Sequence, residues 1–264
     1  MHIQATWRVL TIGDGDLSFS AALARRWPTL KITASVLDSE QQLRDKYQLN
    51  AIDTLLEAGQ RVMFEVDITQ PDSLRDKLKA SFDVTIFQFP LVPNAGPRRP
   101  GQSWHQGEDS NLLNRKLLNA FLRYSQHYLL ASNGARLSYI TSKDVKPYCD
   151  WNIECLAEPG SFRHIGQMPF IPGEFPGYRI RNVDRDKQVK STAAITYAWS
   201  DSPQPQLHRY LTAPPEAAPQ YCELCHIGPV TDAQDWQNHL NSRQHRRRAG
   251  YQQAWQDYLN ATDK

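Results

Sequence analysis

Residues 7–20 read WRVLTIGDGDLSFS, a β-type run that leads directly into a glycine-containing loop. The first six residues are rich in β-branched and aromatic side chains, which favour a strand. Gly13 and Gly15 then let the backbone turn tightly and approach a ligand without interference from a Cβ atom. From Leu17 the sequence is amphipathic until Pro28, which predicts a helix. A strand, a glycine loop and a helix in this order indicate the start of an α/β domain.

The same alternation of strand and helix signals continues to about residue 200. Strands are predicted over 7–12, 31–37, 61–66, 82–88, 135–141 and 190–199, and helices over 17–27, 39–58, 71–80, 111–130 and 148–157. Strands that alternate with helices at this spacing predict a mainly parallel sheet with helices on both faces. The expected fold class is therefore a doubly wound α/β domain with a Rossmann-like topology.

The chain changes character after residue 200. Its 264 residues, 40% apolar and 22% charged, have the composition of a globular protein with one large domain and a small appendage. Five prolines fall between 201 and 220, which disfavours helix and central strand and predicts a semi-rigid linker. We predict a main domain over 1–200, a linker over 201–220 and a small domain over 221–264.

Composition also limits the location and the partners of the protein. There is no run of about 18 apolar residues, so we expect no membrane span. Residues 1–4 lack the basic and apolar pattern of a secretory signal. Four cysteines in a chain of this length are too few for a secreted disulfide framework, which favours an intracellular protein. The net charge of +2 is too small to indicate a nucleic-acid partner by itself.

The residues that follow the predicted strands form a candidate ligand site. Ligands of doubly wound sheets bind beyond the carboxyl ends of the strands. Gly13, Asp14 and Gly15 follow the first strand, Asp38 the second and Asp67 the third. Asp38 can accept hydrogen bonds from both hydroxyls of a ribose, and Asp67 can contact an adenine amino group or orient the ligand. Helix capping is the alternative role for both carboxylates. Together the positions predict an adenosine-containing cofactor.

The loop itself favours one cofactor over another. A dinucleotide fingerprint needs a third glycine on the helix, where this chain has Ser18. Asp14 and Asp16 would repel a pyrophosphate, but they suit a cationic ligand without phosphates. S-adenosylmethionine combines a sulfonium, an amino group, a ribose and an adenine, so we prefer it to a dinucleotide.

Residues 12–20, IGDGDLSFS, resemble the glycine-rich loop of the eukaryotic large-subunit rRNA (uridine-N3)-methyltransferase family and its relatives. Further similar segments occur at 34–40, 46–47, 66–67, 82–83, 89–90, 114–115, 147–148, 151–153 and 176–178. The resemblance covers about residues 7–200. It implies a class I methyltransferase that uses S-adenosylmethionine, with the cofactor held by Gly13, Asp14, Gly15, Asp38 and Asp67. If the protein acts in a eukaryote, the nucleolus is an expected location beside the cytoplasm.

The end of the fourth strand departs from this family. Its members typically read Asn-Phe-Pro-His, whereas this chain has Gln88, Phe89, Pro90 and Leu91. The resemblance implies methyl transfer to N3 of a uridine, which must first leave its stack. We expect Phe89 to stack on the base, Gln88 to hydrogen-bond its polar edge and Pro90 to lie beside them. The alternative is that Phe89 and Pro90 only pack the strand end. No catalytic acid or base is assigned.

The segment after the linker has the spacing of a metal site. Two residues separate Cys222 from Cys225, five separate His239 from His245, and thirteen lie between the pairs. This is close to the Cys2His2 pattern, so we predict one structural zinc ion held by these four residues. Metal binding would supply the folding free energy of so small a segment. The segment resembles zinc fingers of the matrin/U1 type, which implies contacts with RNA or with proteins.

A basic patch follows the last of these histidines. Arg243, Arg246, Arg247 and Arg248 can engage phosphates, although a solvated surface is the alternative reading. Arg98 and Arg99 could extend the same surface. The leading hypothesis is an RNA methyltransferase, acting on rRNA, whose zinc finger docks the RNA. Two alternatives stay open: a non-catalytic RNA-binding or assembly protein on this fold, and a methyltransferase of a non-RNA substrate.

Overall fold

The structure, a computed structural model, describes residues 1–70, 78, 80–92, 109–156, 162–181, 186, 189, 192–214 and 219–262. Most of the helix predicted over 71–80 lies outside the described residues, as do Arg98, Arg99 and Pro215. Among the described helices, none is long and apolar enough to cross a membrane.

One sheet of seven strands forms the centre of the described structure. The strands are β1 (Arg8–Ile12), β2 (Lys31–Ser35), β3 (Arg61–Met63), β4 (Val84–Gln88), β5 (Leu137–Lys143), β6 (Arg163–Pro169) and β7 (Ala194–Ser200). Their order in the sheet is β3-β2-β1-β4-β5-β7-β6. The first five pair in parallel, and β7 runs antiparallel between β5 and β6. The predicted mainly parallel sheet is confirmed. The strand order reverses between β1 and β4, and such a reversal opens a crevice at the carboxyl ends of the strands.

Helices and short turns surround the sheet. The described helices are α1 (Ser18–Arg26), α2 (Glu40–Lys46), α3 (Ile52–Glu57), α4 (Ser110–Tyr124), α5 (Ala233–Leu240) and α6 (Arg243–Thr262). Successive side chains of a strand point to opposite faces, so each central strand contributes to two cores. Val9 and Ile86 enter the apolar cluster on one face. Leu10 and Phe87 enter the cluster on the other.

The helix predicted over 39–58 is two helices in the structure. Ser39 caps α2 through a capping box with Gln42, and α2 ends where Tyr47 turns to an extended conformation. Ala51 N then donates to Asp16 O at 2.9 Å before α3 begins. That hydrogen bond ties the residues between the two helices to the glycine loop. A tertiary contact of this kind overrides local helix propensity.

Two further predictions differ from the structure. The helix predicted over 148–157 consists, in its described part, of two 3-10 turns, Tyr148–Asp150 and Ile153–Cys155, separated by Asn152 at φ 48°. β6 was not predicted at all, because Gly166 lies at a bulge in this edge strand and weakens its β pattern.

The segment after residue 200 is attached to the main domain. Leu207, in the predicted linker, is fully buried in the same apolar cluster as Val9. Thr212 N donates to Gln167 O of β6 at 2.8 Å. Trp255 of α6 is fully buried in the cluster that contains Phe87. The predicted domain boundaries stay a prediction, but the core of the main domain includes a residue from beyond 221.

Candidate active site and metal cluster

The glycine loop folds closely against the ends of two strands. Gly13 has φ 60° and Gly15 has φ 38°, the left-handed region that favours glycine. A Cβ atom on Gly13 would lie 2.9 Å from Cε2 of Phe87 at the end of β4. Asp14 N donates to Ser35 O at the end of β2, at 3.2 Å. The loop therefore brings the carboxyl ends of β1, β2 and β4 together.

Asp14 is directed into the protein. Its carboxylate accepts hydrogen bonds from the backbone N–H groups of Phe19 (3.3 Å) and Ser20 (2.7 Å) and from the Ser20 hydroxyl. It thus satisfies donors in the first turn of α1, a capping role. Burial raises the pKa of this carboxyl to about 7, against the lowering effect of the Ser20 hydrogen bonds. A direct role of Asp14 in cofactor binding stays a prediction.

Asp16 is likewise engaged by groups of the protein. It accepts from Ser18 N at 3.0 Å, and Arg181 Nε lies 2.6 Å from its other oxygen. Arg179 Nη2 is 3.2 Å from that same oxygen. The two loop carboxylates, which the sequence suggested would face a cationic ligand, therefore already have partners within the chain. Nothing in the spacing of Arg179 and Arg181 relates them to a loop more than 160 residues earlier, so the sequence gives no signal for these two ion pairs.

The loops after β2 and β3 lie side by side and carry the other two predicted carboxylates. Val66 N donates to Val36 O at 3.0 Å and joins the two loops. Asp38 is 8% exposed, and one of its oxygens lies 2.6 Å from Lys46 Nζ. Asp67 accepts from Thr69 N (2.9 Å) and Thr69 Oγ1 (2.6 Å). Both predicted residues thus lie at the same edge of the sheet as the glycine loop.

The end of β4 carries a buried side chain without a partner. Gln88 is 7% exposed, and within the described structure neither its Nε2 nor its Oε1 makes a hydrogen bond. An unmade hydrogen bond of a buried group costs about 1–3 kcal/mol. Phe89 follows at φ 49°, a costly conformation for a non-glycine residue. A buried amide without a described partner is thus followed directly by a strained residue at the end of β4.

Phe89 and Pro90 also pack within the protein. The Phe89 ring meets that of Phe170 edge-on, with centroids 5.6 Å apart, and Pro90 is buried. This is the packing alternative for Phe89. Its role in stacking on a base stays a prediction.

Lys143, at the end of β5, is a neighbour of this site. It follows Thr141, which pairs with Gln88 in the parallel ladder, by two residues. Burial lowers the pKa of Lys143. Its Nζ lies 5.6 Å from the centre of the Tyr148 ring. The sequence offered no signal for Tyr148 beyond its place in a segment similar to the family.

The four predicted metal ligands converge. One ligand atom from each of Cys222, Cys225, His239 and His245 lies within 4.8 Å of the others. His245 Nδ1 is 3.4 Å from the sulfur of Cys222 and 3.7 Å from that of Cys225. In a tetrahedral zinc site, neighbouring ligand atoms would be about 3.3–3.8 Å apart. Burial and the neighbouring Cys222 raise the pKa of Cys225 to about 11, an effect that a bound divalent cation would reverse. The donor set therefore fits a zinc ion.

The basic patch is divided between surface and interior. Arg243 and Arg246 are exposed. Arg247 Nη2 lies 2.9 Å from a carboxylate oxygen of Asp150, but the Arg247 residue as a whole remains exposed. Arg248 is 8% exposed, and its Nε donates to the other Asp150 oxygen at 2.8 Å. The expectation of four solvent-facing arginines thus needs correction at Arg248, which the protein uses to hold its own parts together.

The fold and the strand-end residues together define a class of protein. A mainly parallel sheet in which the antiparallel strand β7 lies between β5 and β6, with a glycine loop after β1, is the arrangement of class I S-adenosylmethionine-dependent methyltransferases. The family model described as rRNA (uridine-N3-)-methyltransferase BTM5-like matches residues 10–182. The chain belongs to this BMT5-like family, and it is an S-adenosylmethionine-dependent methyltransferase of an RNA-modifying kind.

Curated proteins of plants and of humans are similar to this chain. An uncharacterised protein of Arabidopsis thaliana is 28% identical over 180 residues, which are 67% of this chain and 82% of the relative. Heavy metal-associated isoprenylated plant protein 41 of the same plant is 30% identical, over 69% of this chain and 34% of the relative. Human ferredoxin-fold anticodon-binding domain-containing protein 1 is 24% identical, over 74% of this chain and 31% of the relative. The chain thus spans about a third of the length of the last two.

Solved structures with a similar arrangement include two methyltransferases. A predicted O-methyltransferase from Agrobacterium tumefaciens aligns over 76% of each chain, with 14% identity and a TM-score of 0.44. A 30S ribosomal A1408 methyltransferase from an uncultured bacterium aligns over 76% of this chain and 96% of its own, with 9% identity and a TM-score of 0.42.

Proposed function

We propose that the protein transfers a methyl group from S-adenosylmethionine to N3 of a uridine in rRNA. The observation that carries this proposal is the unpartnered amide of Gln88 beside the glycine loop. Gln88 ends β4, which pairs in parallel with β1, and β1 leads directly into the glycine loop. A group that can read a base and a loop that can hold the cofactor are therefore adjacent.

The strand-end residues suit the cofactor. Gly13 and Gly15 let the backbone approach it, Asp38 accepts from the ribose hydroxyls, and Asp67 orients the adenine. Asp14 contributes by holding the loop onto α1. When bound, S-adenosylmethionine supplies an electrophilic methyl group, so the protein mainly supplies position and a site from which water is excluded.

Gln88 is proposed to act on the charge of the base. N3 of uridine carries a proton between two carbonyl groups. When that proton passes to solvent, negative charge spreads onto both carbonyl oxygens, and N3 can then form its bond to the methyl group. Nε2 of Gln88 can donate to one of these oxygens as the charge develops, which stabilises the reacting state. Phe89 and Pro90 would flank the base after it has left its stack.

The C-terminal segment is proposed to hold zinc and to contact the RNA. Cys222, Cys225, His239 and His245 would bind the ion, which supplies the folding free energy of the small segment. Arg243, Arg246 and Arg247 are exposed and can engage phosphates. Arg248 would position them. An rRNA substrate places the protein in the cytoplasm or, in a eukaryote, the nucleolus.

The first test is calorimetric binding of S-adenosylmethionine to the full chain. Asp38→Ala removes a carboxylate that would accept two hydroxyl hydrogen bonds, so we expect affinity to fall roughly tenfold to a hundredfold. Asp45→Ala is the matched control, because Asp45 is an exposed carboxylate on the neighbouring helix α2. It should bind as the wild type does. Absence of binding to the folded wild-type protein would contradict the proposal and favour a non-catalytic RNA-binding protein on this fold.

A further inference from the structure

The segment after β5 is held from two sides. Asn111 Nδ2 of α4 donates to Asp150 O at 2.8 Å and ties the segment to the main domain. On the opposite side, the Asp150 carboxylate receives Arg248 Nε at 2.8 Å and Arg247 Nη2 at 2.9 Å. Asp150 is only 7% exposed and Arg248 only 8%, so their ion pair is largely removed from solvent, whereas Arg247 stays exposed. A buried charge of this kind depends strongly on keeping its partners.

Arg248 also reaches the metal cluster. Its Nη1 donates to Leu224 O at 2.9 Å, and Leu224 lies in the turn between Cys222 and Cys225. His245, another candidate ligand, lies one turn earlier on α6. One guanidinium therefore joins the cysteine turn, the ligand-bearing helix and Asp150.

The same segment borders the substrate side of the site. Tyr148, two residues before Asp150, lies beside Lys143 at the end of β5, and its ring contacts that of Trp151 with centroids 5.0 Å apart. Lys143 belongs to the strand that pairs with Gln88. A displacement of Asp150 would thus move Tyr148 and change its contact with Lys143 at the end of β5.

Further contacts fix α6 to the main domain independently of Asp150. Arg115 of α4 donates to Gln252 Oε1 at 2.9 Å and to Tyr251 O at 3.3 Å. Trp255 is fully buried below them. Loss of the Asp150 ion pair should therefore loosen the segment without releasing α6.

We propose that Asp150 is a positioning residue through which the metal-holding segment sets the loop of residues 144–153 beside the substrate site. Bound zinc would order the cysteine turn and the start of α6. This order holds Arg247 and Arg248 in place, and their ion pairs with Asp150 in turn hold Tyr148 in place. The metal-holding segment then has a fixed position relative to the substrate site and does not move independently of it. This inference rests on the zinc site and the methyl transfer proposed above.

The test compares hydrogen exchange in the full chain with zinc and after chelation. In the wild type, chelation should accelerate exchange of the amides in 144–153 by roughly tenfold or more. Asp150→Asn cannot neutralise two guanidiniums, so its loop should already exchange fast with zinc bound, and chelation should add little. Arg248→Lys keeps the charge but cannot bridge Asp150 and Leu224 at once. The amides of its residues 144–153 should also exchange fast with zinc bound. This variant replaces Asp150→Asn in the test if Asp150→Asn does not fold.

Kinetics separates positioning from a general loss of structure. Both variants should raise KM for the RNA by roughly threefold or more while cofactor affinity stays within about twofold. Asp257→Asn, an exposed carboxylate on α6, should match the wild type. Metal analysis distinguishes the two possible failures. A protein that binds no zinc contradicts the metal site and this coupling together. A protein that binds one equivalent, but whose loop exchange is unchanged by chelation, overturns the coupling alone.

Discussion

At the residue scale, the amide of Gln88 is the feature of the site that most needs a test. It is buried at the end of β4, and within the described structure neither of its polar atoms has a hydrogen-bond partner. Proteins keep such groups where function needs them, because stability and activity often conflict at a site. The sequence identified the position from its place after the fourth strand, but only the three-dimensional surroundings reveal that the amide is unpartnered.

Gln88→Met should separate stability from activity. Methionine has a similar shape and no group that needs a hydrogen bond, so the free energy of unfolding should rise by about 1 kcal/mol. Methyl transfer in a single turnover should fall about 100-fold or more, because a donor to the reacting base is lost. Urea denaturation and labelled-methyl incorporation into rRNA measure the two effects.

Gln204→Met is the matched control for this variant. Gln204 is also buried, but its Nε2 donates to Ala135 O at 2.6 Å and to Ser200 Oγ at 3.1 Å. Its replacement should lower the free energy of unfolding by about 1–3 kcal/mol. If Gln88→Met loses stability in the same way, the Gln88 amide has a structural partner and the proposed role is wrong.

At the scale of elements, the start of α1 depends on a carboxylate that is hard to ionise. Asp14 accepts from two backbone N–H groups of the first turn, yet burial raises its pKa to about 7. A folded-state pKa above the ordinary value means that the folded protein binds this proton more tightly than the unfolded chain does. The resulting stabilisation is complete at acidic pH and is lost as the pH rises through about 7.

Asp14→Asn should therefore change the pH dependence of stability. The wild type should lose on the order of 2 kcal/mol of unfolding free energy between pH 5 and pH 8 through this group, and the variant should not. Urea denaturation across that range measures the difference. Asp109→Asn, at the exposed N-cap of α4, controls for the loss of a capping carboxylate. Parallel pH profiles for wild type and Asp14→Asn would contradict the inward role of Asp14.

Elements were predictable from sequence where local pattern and burial agree. β1, β2, β4 and β5 are short apolar runs bounded by turn residues, and each was predicted close to its observed position. The break between α2 and α3 was not, because it involves the hydrogen bond from Ala51 N to Asp16 O, a contact distant along the chain. The residues of the candidate site could likewise be predicted only where local sequence pattern determines them. Positions after strands could be read from the sequence, whereas partners such as Arg181 depend on contacts distant along the chain.

At the scale of the whole molecule, the finger arginines face solvent on a segment anchored to the main domain. Arg243 and Arg246 are exposed, and α6, which carries them, continues to the buried Trp255. Changing both to glutamine should weaken rRNA binding and reduce the slope of log affinity against log salt by roughly 1–2, since each phosphate contact contributes somewhat less than one unit. Affinity measured at several salt concentrations tests this.

The control for RNA binding removes two other exposed charges. Arg61 begins β3 and Arg123 lies in the last turn of α4, both away from the carboxyl ends of the strands. The double change of these residues to glutamine should leave the salt slope near that of the wild type. Equal slopes for both double variants would mean that the finger arginines do not contact RNA phosphates.

Trp255 also bears on how the protein is made. A ribosome synthesises all seven strands before it reaches this residue, yet the indole fills the same apolar cluster as Phe87 and Phe121. The nascent sheet and α4 therefore emerge with one of their cores still open, and apolar surface stays exposed until α6 follows. Domains that fold during synthesis in this order depend on protection of such surface. A stalled or truncated translation product would accordingly be a client of chaperones and proteases, even with the whole family-matched segment, residues 10–182, already made.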